Sequence, residues 1–250
     1  MLRSLRSQPT QPCEVIVVDQ STPRYDIPSF PGLVHVHDPA LSGLTAARNC
    51  GVDRARGDVV LFFDDDVLLE SDCVGEIADL FHRRPDVVGA QCAIRNPYDD
   101  EPPRLWNLST RIFEHGFFDS RPMRRGGDRV PRLIDGLGSA YRRSMFDQER
   151  FDERLTGYCL AEDWDFTKRA ARHGRLIIAE RARVRHELSP TNRHDVQRYL
   201  ELRREAVLYL YEKFEAGRDV RNRLWRAWWM CGERLRALKR AWQTRSLRLP

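Results

Sequence analysis

The chain is 250 residues long, 41% hydrophobic and 32% charged, with a formal net charge of +5. That length allows one large α/β domain, or a domain with an appendage. No run of about 18 apolar residues occurs, which excludes a membrane-spanning helix, and the N-terminal MLRSLRSQPTQPCE lacks the apolar centre of a secretory signal.

The predicted elements alternate. EVIVVD (14–19) is a continuous run rich in Val and Ile, the mark of a strand covered on both faces, and LVHVH (33–37) alternates like a more exposed strand. GLTAARNCGVDRARG (43–57) reads as a helix with Leu44, Ala47 and Val52 on one side and Gly57 closing it. DVVLFFDD (58–65) is a second buried strand. ESDCVGEIADLFHRR (70–84) repeats Val74, Ile77, Leu80 and Phe81 at helical spacing until Pro85 stops it, and DVVGAQCAI (86–94) is a further strand. A long Pro-, Arg- and Gly-bearing segment follows from Arg95 to Arg132, with RRGGD (124–128) its most flexible part; loops of this length usually serve as lids or binding loops. LIDGLGSAYRR (133–143), a helix around AEDWDFTKRAARHG (161–174) and a strand RLIIAERARVRH (175–186) complete the alternation, which implies a mostly parallel, twisted sheet.

Ligands of such sheets sit at the carboxyl ends of the strands. Asp19 ends the first visible strand, and Asp64, Asp65 and Asp66 end another. Three adjacent carboxylates repel, so they form either a solvated acidic turn or a cluster held by a cation. Asp64 and Asp66, two apart on extended chain, point the same way, and a hard cation such as Mg²⁺ or Mn²⁺ uses one or two carboxylates while substrate phosphates complete its shell. Glu162, Asp163 and Asp165 open the later helix, where the helix dipole favours acidic side chains, so capping and general-base roles both fit. Trp164 beside Asp163 desolvates it in part, which raises a carboxylate's pKa toward that of a useful base.

EVIVVDQST, GLTAARNCGVDRARGDVVLFFDDDV, GLGSAYRRSMF, FDERLTGYCLAEDWDFTKRAARHG and the later VRH stand in the order and approximate spacing of glycosyltransferase family 2, which the chain resembles over roughly residues 1–190. The resemblance implies an inverting, nucleotide-sugar-dependent enzyme with the α/β GT-A (Rossmann-like) fold, a mostly parallel twisted sheet flanked by helices. Residues 1–193 would form that domain and residues 194–250 a C-terminal helical extension. It implies that Asp19 meets the nucleotide's base or ribose, although Gln20 stands where the family often has Asp. By the same resemblance Arg48 and Asn49 lie beside the nucleotide, with Arg48 able to pair with phosphate oxygens. Asp64 and Asp66 become the outer residues of a DxD metal motif holding Mg²⁺ or Mn²⁺, Asp65 lies near the sugar, and His186 is an additional metal ligand. Asp163 is the general base, with Glu162 as the alternative, while Gly136, Gly138 and Ser139 let the backbone approach the sugar.

The chemistry joins these parts. Charge growing on a departing diphosphate is stabilised by a divalent cation, and an acceptor hydroxyl on the opposite face of the sugar must lose its proton as it attacks. One departure from the family stands at the N-terminus: its first strand would lie between the strands at 14–19 and 58–65, and LRSLRSQ looks like the end of the helix that follows it. The expectation is a natural chain that starts upstream.

Six cysteines without a CxxC pair read as buried, reduced thiols of a cytoplasmic protein, and Asn107-Leu108-Ser109 reads as a chance match to a glycosylation acceptor. Residues 218–250 carry ten Arg or Lys against Asp219 and Glu233, leaving −3 on residues 1–217. HDVQRYLELRREAVLYLYEKF (194–214) is a helix; beyond Gly217, Leu224, Trp228, Cys231, Leu235, Leu238 and Trp242 step by four and three into one apolar stripe, widened by Trp225 and Trp229. A basic amphipathic helix rich in Trp suits an anionic membrane surface at the inner face, and a helix covering the domain or a partner subunit has the same pattern. Two other classes stay open: a non-catalytic binding or scaffold protein derived from a glycosyltransferase, and nucleic-acid association through the tail, which the interleaved Trp/Leu stripe disfavours. The acceptor, a glycan, lipid-linked sugar or small molecule, depends on the 95–132 segment, whose composition names none.

Overall fold

The computed structural model describes residues 1–70, 72–95, 123–125, 128–131, 133–156, 159–187, 196–215 and 220–246. Most of the 95–132 segment, with Asn107, lies outside the described residues. The described residues fall into two compact units, residues 1–95 with 123–206, and residues 207–246.

The first unit opens with α1 (Leu2–Arg6), β1 (Val15–Asp19) and β2 (Leu33–His37), and the two strands pair in parallel. After α2 (Leu44–Val52) come β3 (Val59–Phe62), β4 (Val67–Glu70), α3 (Cys73–Arg83) and β5 (Val87–Arg95). A short hairpin, β6 (Met123–Arg125) with β7 (Asp128–Val130), occupies the stretch expected to be most flexible. Then follow β8 (Ser139–Arg142), a 3-10 turn (Arg143–Asp147), α4 (Glu162–Ala170) and β9 (Arg175–His186).

Five strands form one sheet in the order β3-β8-β5-β9-β4. β5 and β9 run parallel, and β8 and β4 enter antiparallel to their neighbours. Strand β4 lies outside the predicted elements except for Glu70, which the helical spacing places at the start of the following helix. Val67 and Leu69 alternate inward and pair with β9, which carries extended chain through Glu70 and leaves Asp72, not Glu70, to cap α3 by accepting from the Gly75 amide at 3.2 Å.

The pleat sends successive residues into two cores. Ala140, Val87 and Ile177 join α3 through Val74, Ile77 and Phe81, whereas Tyr141 and Leu176, their chain neighbours, join Phe146, Phe151 and Phe166 under α4. In the second core Phe151 stacks on Phe166 at 4.3 Å, and Tyr141 meets Phe166 edge-on at 4.9 Å.

β1 and β3 are a disagreement with expectation. Their continuous apolar runs predict strands covered on both faces, yet all of Val15–Val18 and Val59–Phe62 are only half-buried. Among the described residues β1 pairs only with β2, and β3 only with β8. Both strands line one cavity of about 660 Å³, shared with Ala47, Gly51, Phe63, Arg48 and Asp64. The Val15 amide bonds to the Gly32 carbonyl, and the Asp19 carbonyl accepts from Asp38. Ile16 and Val18 therefore turn their amides away from β2.

The second unit contains the end of α5 (Val196–Glu215) and α6 (Val220–Ser246). Val207, Leu210, Tyr211 and Trp229 are buried, with the Tyr211 and Trp229 rings 6.5 Å apart.

Candidate active site

Arg48 organises the site. It sits on α2 and is buried, its guanidinium resting over the rings of Phe151 at 5.4 Å and Phe62 at 5.7 Å. From that aromatic floor Nη1 reaches Glu162 Oε1 at 2.5 Å, and Nη2 donates to the Gly136 carbonyl at 3.3 Å and lies 3.6 Å from Asp64 Oδ1. One cation thus joins the acidic end of β3 to the acidic start of α4. Burial would strip its proton, but Glu162, Asp64 and Asp163 more than offset that and hold it charged.

The helix start is aimed by an unusual backbone. Cys159 and Ala161, neither a glycine, adopt left-handed conformations at φ 48° and 65° immediately before Glu162. Such conformations cost about 1 kcal/mol or more each, and here they turn the first residues of α4 toward Arg48. Burial lifts the Glu162 carboxyl above the ordinary carboxylate range, against the pull of Arg48. Its second oxygen, Oε2, is buried without a hydrogen-bond partner. Asp163 is pushed up to about 6, first by burial and then by the charge of Asp135, while the amides of Trp164 (2.8 Å) and Gly136 (3.2 Å) donate to it and pull the other way. Asp165 lies apart from this group: it is fully buried and paired with Arg169 at 2.7 Å.

Asp64 is raised by burial, with Asp66 and Asp135 adding to the shift and Arg48 opposing it. Asp65 is exposed. Asp66 meets His186, Oδ2 to Nε2, at 3.3 Å, because β4 pairs with β9 in a register that sets Val67 opposite His186. Among the described residues no group of three His, Cys, Asp or Glu is placed to hold a metal ion. The donor chemistry nevertheless fits a divalent cation: a carboxylate and an imidazole adjoin, and Asp64, Asp66 and Asp135 crowd negative charge that Arg48 faces from the buried side. Asp66 and His186 are the residues that would hold such an ion.

The other expected residues are placed as follows. Asp19 accepts from Ser21 Oγ (2.5 Å), the Ser21 and Tyr25 amides (2.9 Å each) and His35 Nε2 (3.2 Å), and the Ser21 hydroxyl above all holds its carboxyl far below the usual range. Asn49 bonds the backbone of Phe151 through both amide atoms at 3.0 Å and reaches Glu153 Oε1 at 2.8 Å. Gly138, at φ 69°, has Cys92 Cβ only 3.1 Å from where a side chain would begin, and Ser139 is buried with Oγ donating to the Gly136 carbonyl at 3.3 Å. Both shape the turn from within rather than lining open space. At Gly136 a side chain would meet the Arg48 guanidinium and Glu162 at 2.8 Å, so that position is filled by the ion pair.

Two residues that the sequence reading passed over belong to the site. Asp135 is electrostatically coupled to both Asp64 and Asp163. Buried Gln91 clamps its turn, accepting from the Asp135 amide at 2.5 Å and donating to the Leu137 carbonyl at 2.6 Å. The acidic residue ahead of Gly136 was a visible signal for the first; nothing local marked the second.

The sheet with its carboxylate rim defines the class: the fold is that of the GT-A glycosyltransferases. S. aureus TarS (residues 1–349) aligns over 92% of this chain and 65% of its own with a TM-score of 0.54 at 18% identity. The mannosyltransferase PcManGT from Pyrobaculum calidifontis, solved with GDP-Man and Mn²⁺, aligns over 87% and 60% with a TM-score of 0.53 at 17% identity. Residues 1–149 match the family model of Glycosyl transferase family 2, and the chain belongs to that family. It is similar to the uncharacterized glycosyltransferase YwdF of Bacillus subtilis (strain 168), at 28% identity over 188 residues. That match covers 70% of this chain and 63% of YwdF.

Proposed function

We propose that this protein moves a sugar from a nucleotide-diphosphate sugar to an acceptor hydroxyl, with inversion at the anomeric carbon and dependence on a divalent cation. The observation that carries the reading is the Arg48 bridge, which draws the end of β3 and the start of α4 to one guanidinium. Similar folds bind such donors: PcManGT is solved with GDP-Man and Mn²⁺, and TarS with UDP-GlcNAc.

In this reading Asp163 takes the proton of the attacking hydroxyl. A carboxyl raised to about 6 is a stronger base than an ordinary aspartate yet stays largely ionised at neutral pH. The Gly136 and Trp164 amides orient it, and Asp135 keeps it basic. Arg48 steadies Glu162 and Asp64 so that neither drifts into the path of the acceptor. A divalent cation at Asp66 and His186 would stabilise negative charge on the leaving diphosphate. A single displacement from the face opposite the leaving group inverts the sugar carbon.

The open edges of β1 and β3 support a second part of the proposal: a further strand of the natural protein fills the cavity between them and completes the sheet next to Asp19 and Asp64. Mass spectrometry of the N-terminus of the native protein checks it, and a mature start at Met1 would overturn it.

The test of the activity screens UDP- and GDP-sugars with Mn²⁺ against hydroxyl acceptors and water, reads the anomeric configuration of the product by NMR, and uses Asp163→Asn as control. The reading fails if no donor is turned over or the configuration is retained. One observation favours a non-catalytic alternative: Asp19 and Arg48 are both fully engaged within the chain. Calorimetry with UDP and GDP in the presence of Mn²⁺ separates the two, since that alternative predicts no nucleotide binding.

A further inference from the structure

Helix α6 carries apolar residues on two faces, and burial distinguishes them. Trp229 is 1% exposed beside Tyr211, and Gly232, three residues on, is also buried, so this face is used within the unit. The other face is the more open one: Val220 is 70%, Leu224 65%, Leu235 51% and Trp228 43% exposed, and Cys231 is exposed between them. At 100° per residue these five positions fall within an arc of about 80°. Leu224, Trp228 and Cys231, with Trp225 and Ala227, line a shallow apolar depression of about 580 Å³. The sequence continues the spacing through Leu238 and Trp242, whose side chains lie outside the described residues.

Charge selects the occupant. α6 carries eight Arg or Lys against the single acid Glu233, and Arg223 and Arg234, both exposed, stand at one border of the stripe. A protein partner for so narrow a stripe would need acidic groups at its rim, and a nucleic acid would leave the Leu and Trp side chains in water. An anionic bilayer offers both complements at once: headgroup charge for the arginines and an acyl boundary for the apolar side chains, with indole at home between them. No helix of the described residues is long and apolar enough to cross a membrane, so the helix would lie in the interface plane.

We propose that the Val220–Leu224–Trp228–Leu235 face of α6 docks on the surface of an anionic lipid bilayer and makes this a peripheral membrane protein. The inference goes beyond the catalytic reading and is independent of it, since the readout is partition and not turnover.

The experiment is co-sedimentation of the full chain with vesicles of phosphatidylglycerol and phosphatidylcholine in equal parts, against phosphatidylcholine alone. Wild type should partition to the anionic vesicles and lose about tenfold or more of that binding in high salt. The Leu224→Glu/Leu235→Glu variant, at two exposed positions, should lose about tenfold or more at low salt with unchanged circular dichroism. Arg223→Gln/Arg234→Gln should weaken binding and flatten its salt dependence. Equal binding to both vesicle types, or full retention by the Leu224→Glu/Leu235→Glu variant, overturns the proposal. So does self-association without lipid that this variant abolishes, which would assign the face to a second copy, and so does retention on single-stranded DNA that exceeds retention on vesicles.

Discussion

Arg48 and Glu162 form a buried ion pair at 2.5 Å across 114 positions of sequence, and the same guanidinium lies 3.6 Å from Asp64. Among the described residues this guanidinium is shared by the carboxylates at the end of β3 and the start of α4, and Asp163 adds to the charge that holds it protonated. Removing it would leave buried charge uncompensated, which costs far more than the pair contributes while intact.

Arg48→Met should therefore destabilise the protein by about 3–5 kcal/mol, and Arg48→Met combined with Glu162→Gln by clearly less, because the second change removes the orphaned charge. Thermal or urea denaturation of the single and double variants checks the pair. Additive losses would mean that the two side chains do not interact.

Asp163 sets the expected pH dependence. With its carboxyl at about 6, the rate at subsaturating donor should fall about tenfold per unit as pH drops below about 6, and Asp163→Asn should cost ~10²–10⁴-fold while losing that limb of the profile.

Stability should move in the opposite direction to activity at the same residue. The folded carboxyl holds its proton more tightly than the unfolded chain, whose reference value is 3.8, so stability falls as pH rises through that interval and the cost persists above about 6. Asp163→Asn should accordingly raise stability at pH 7.5, by about 1–3 kcal/mol less whatever hydrogen bonding the amide forfeits. A destabilised variant would contradict the shifted carboxyl.

Manganese binding is expected to depend on the β4–β9 register. Thermal shift with Mn²⁺ in the presence of UDP should be positive for wild type and should weaken roughly tenfold or more in apparent affinity for His186→Ala and Asp66→Asn. Asp65→Asn, at an exposed carboxylate, should change little. Equal responses in all three variants would remove Asp66 and His186 from the ion.

Hydrogen exchange reads the open edges. The Phe62 carbonyl accepts from Gly138 and the Asp58 carbonyl from Arg143, so the alternation of the ladder leaves the Val59 and Leu61 amides on the far edge of β3. These two, with Ile16 and Val18, should exchange much faster in the 250-residue chain than Val15 and Val17. Protection of all four to the level of their neighbours would show the cavity already closed.

The limits of β2 and β9 were readable residue for residue, because alternation and β-branched composition are local signals. β4 was not, since VLLE is too short to distinguish strand from helix start until β9 supplies its partner. Asp64, Asp66 and Asp163 drew attention as acids at element ends. Asp135 and Gln91 did not, because their part depends on a turn whose neighbours come from three other elements.

The sequence by itself determined the alternation of elements, the acidic ends of β3 and α4 and the basic stripe of α6, all of which arise from residue type repeated at short range. Only the tertiary structure decided that Arg48 faces the carboxylates from within, that β1 and β3 keep an edge open, and which face of α6 is already occupied. Burial, pairing and pKa are properties of neighbours, and here those neighbours arrive from distant parts of the chain.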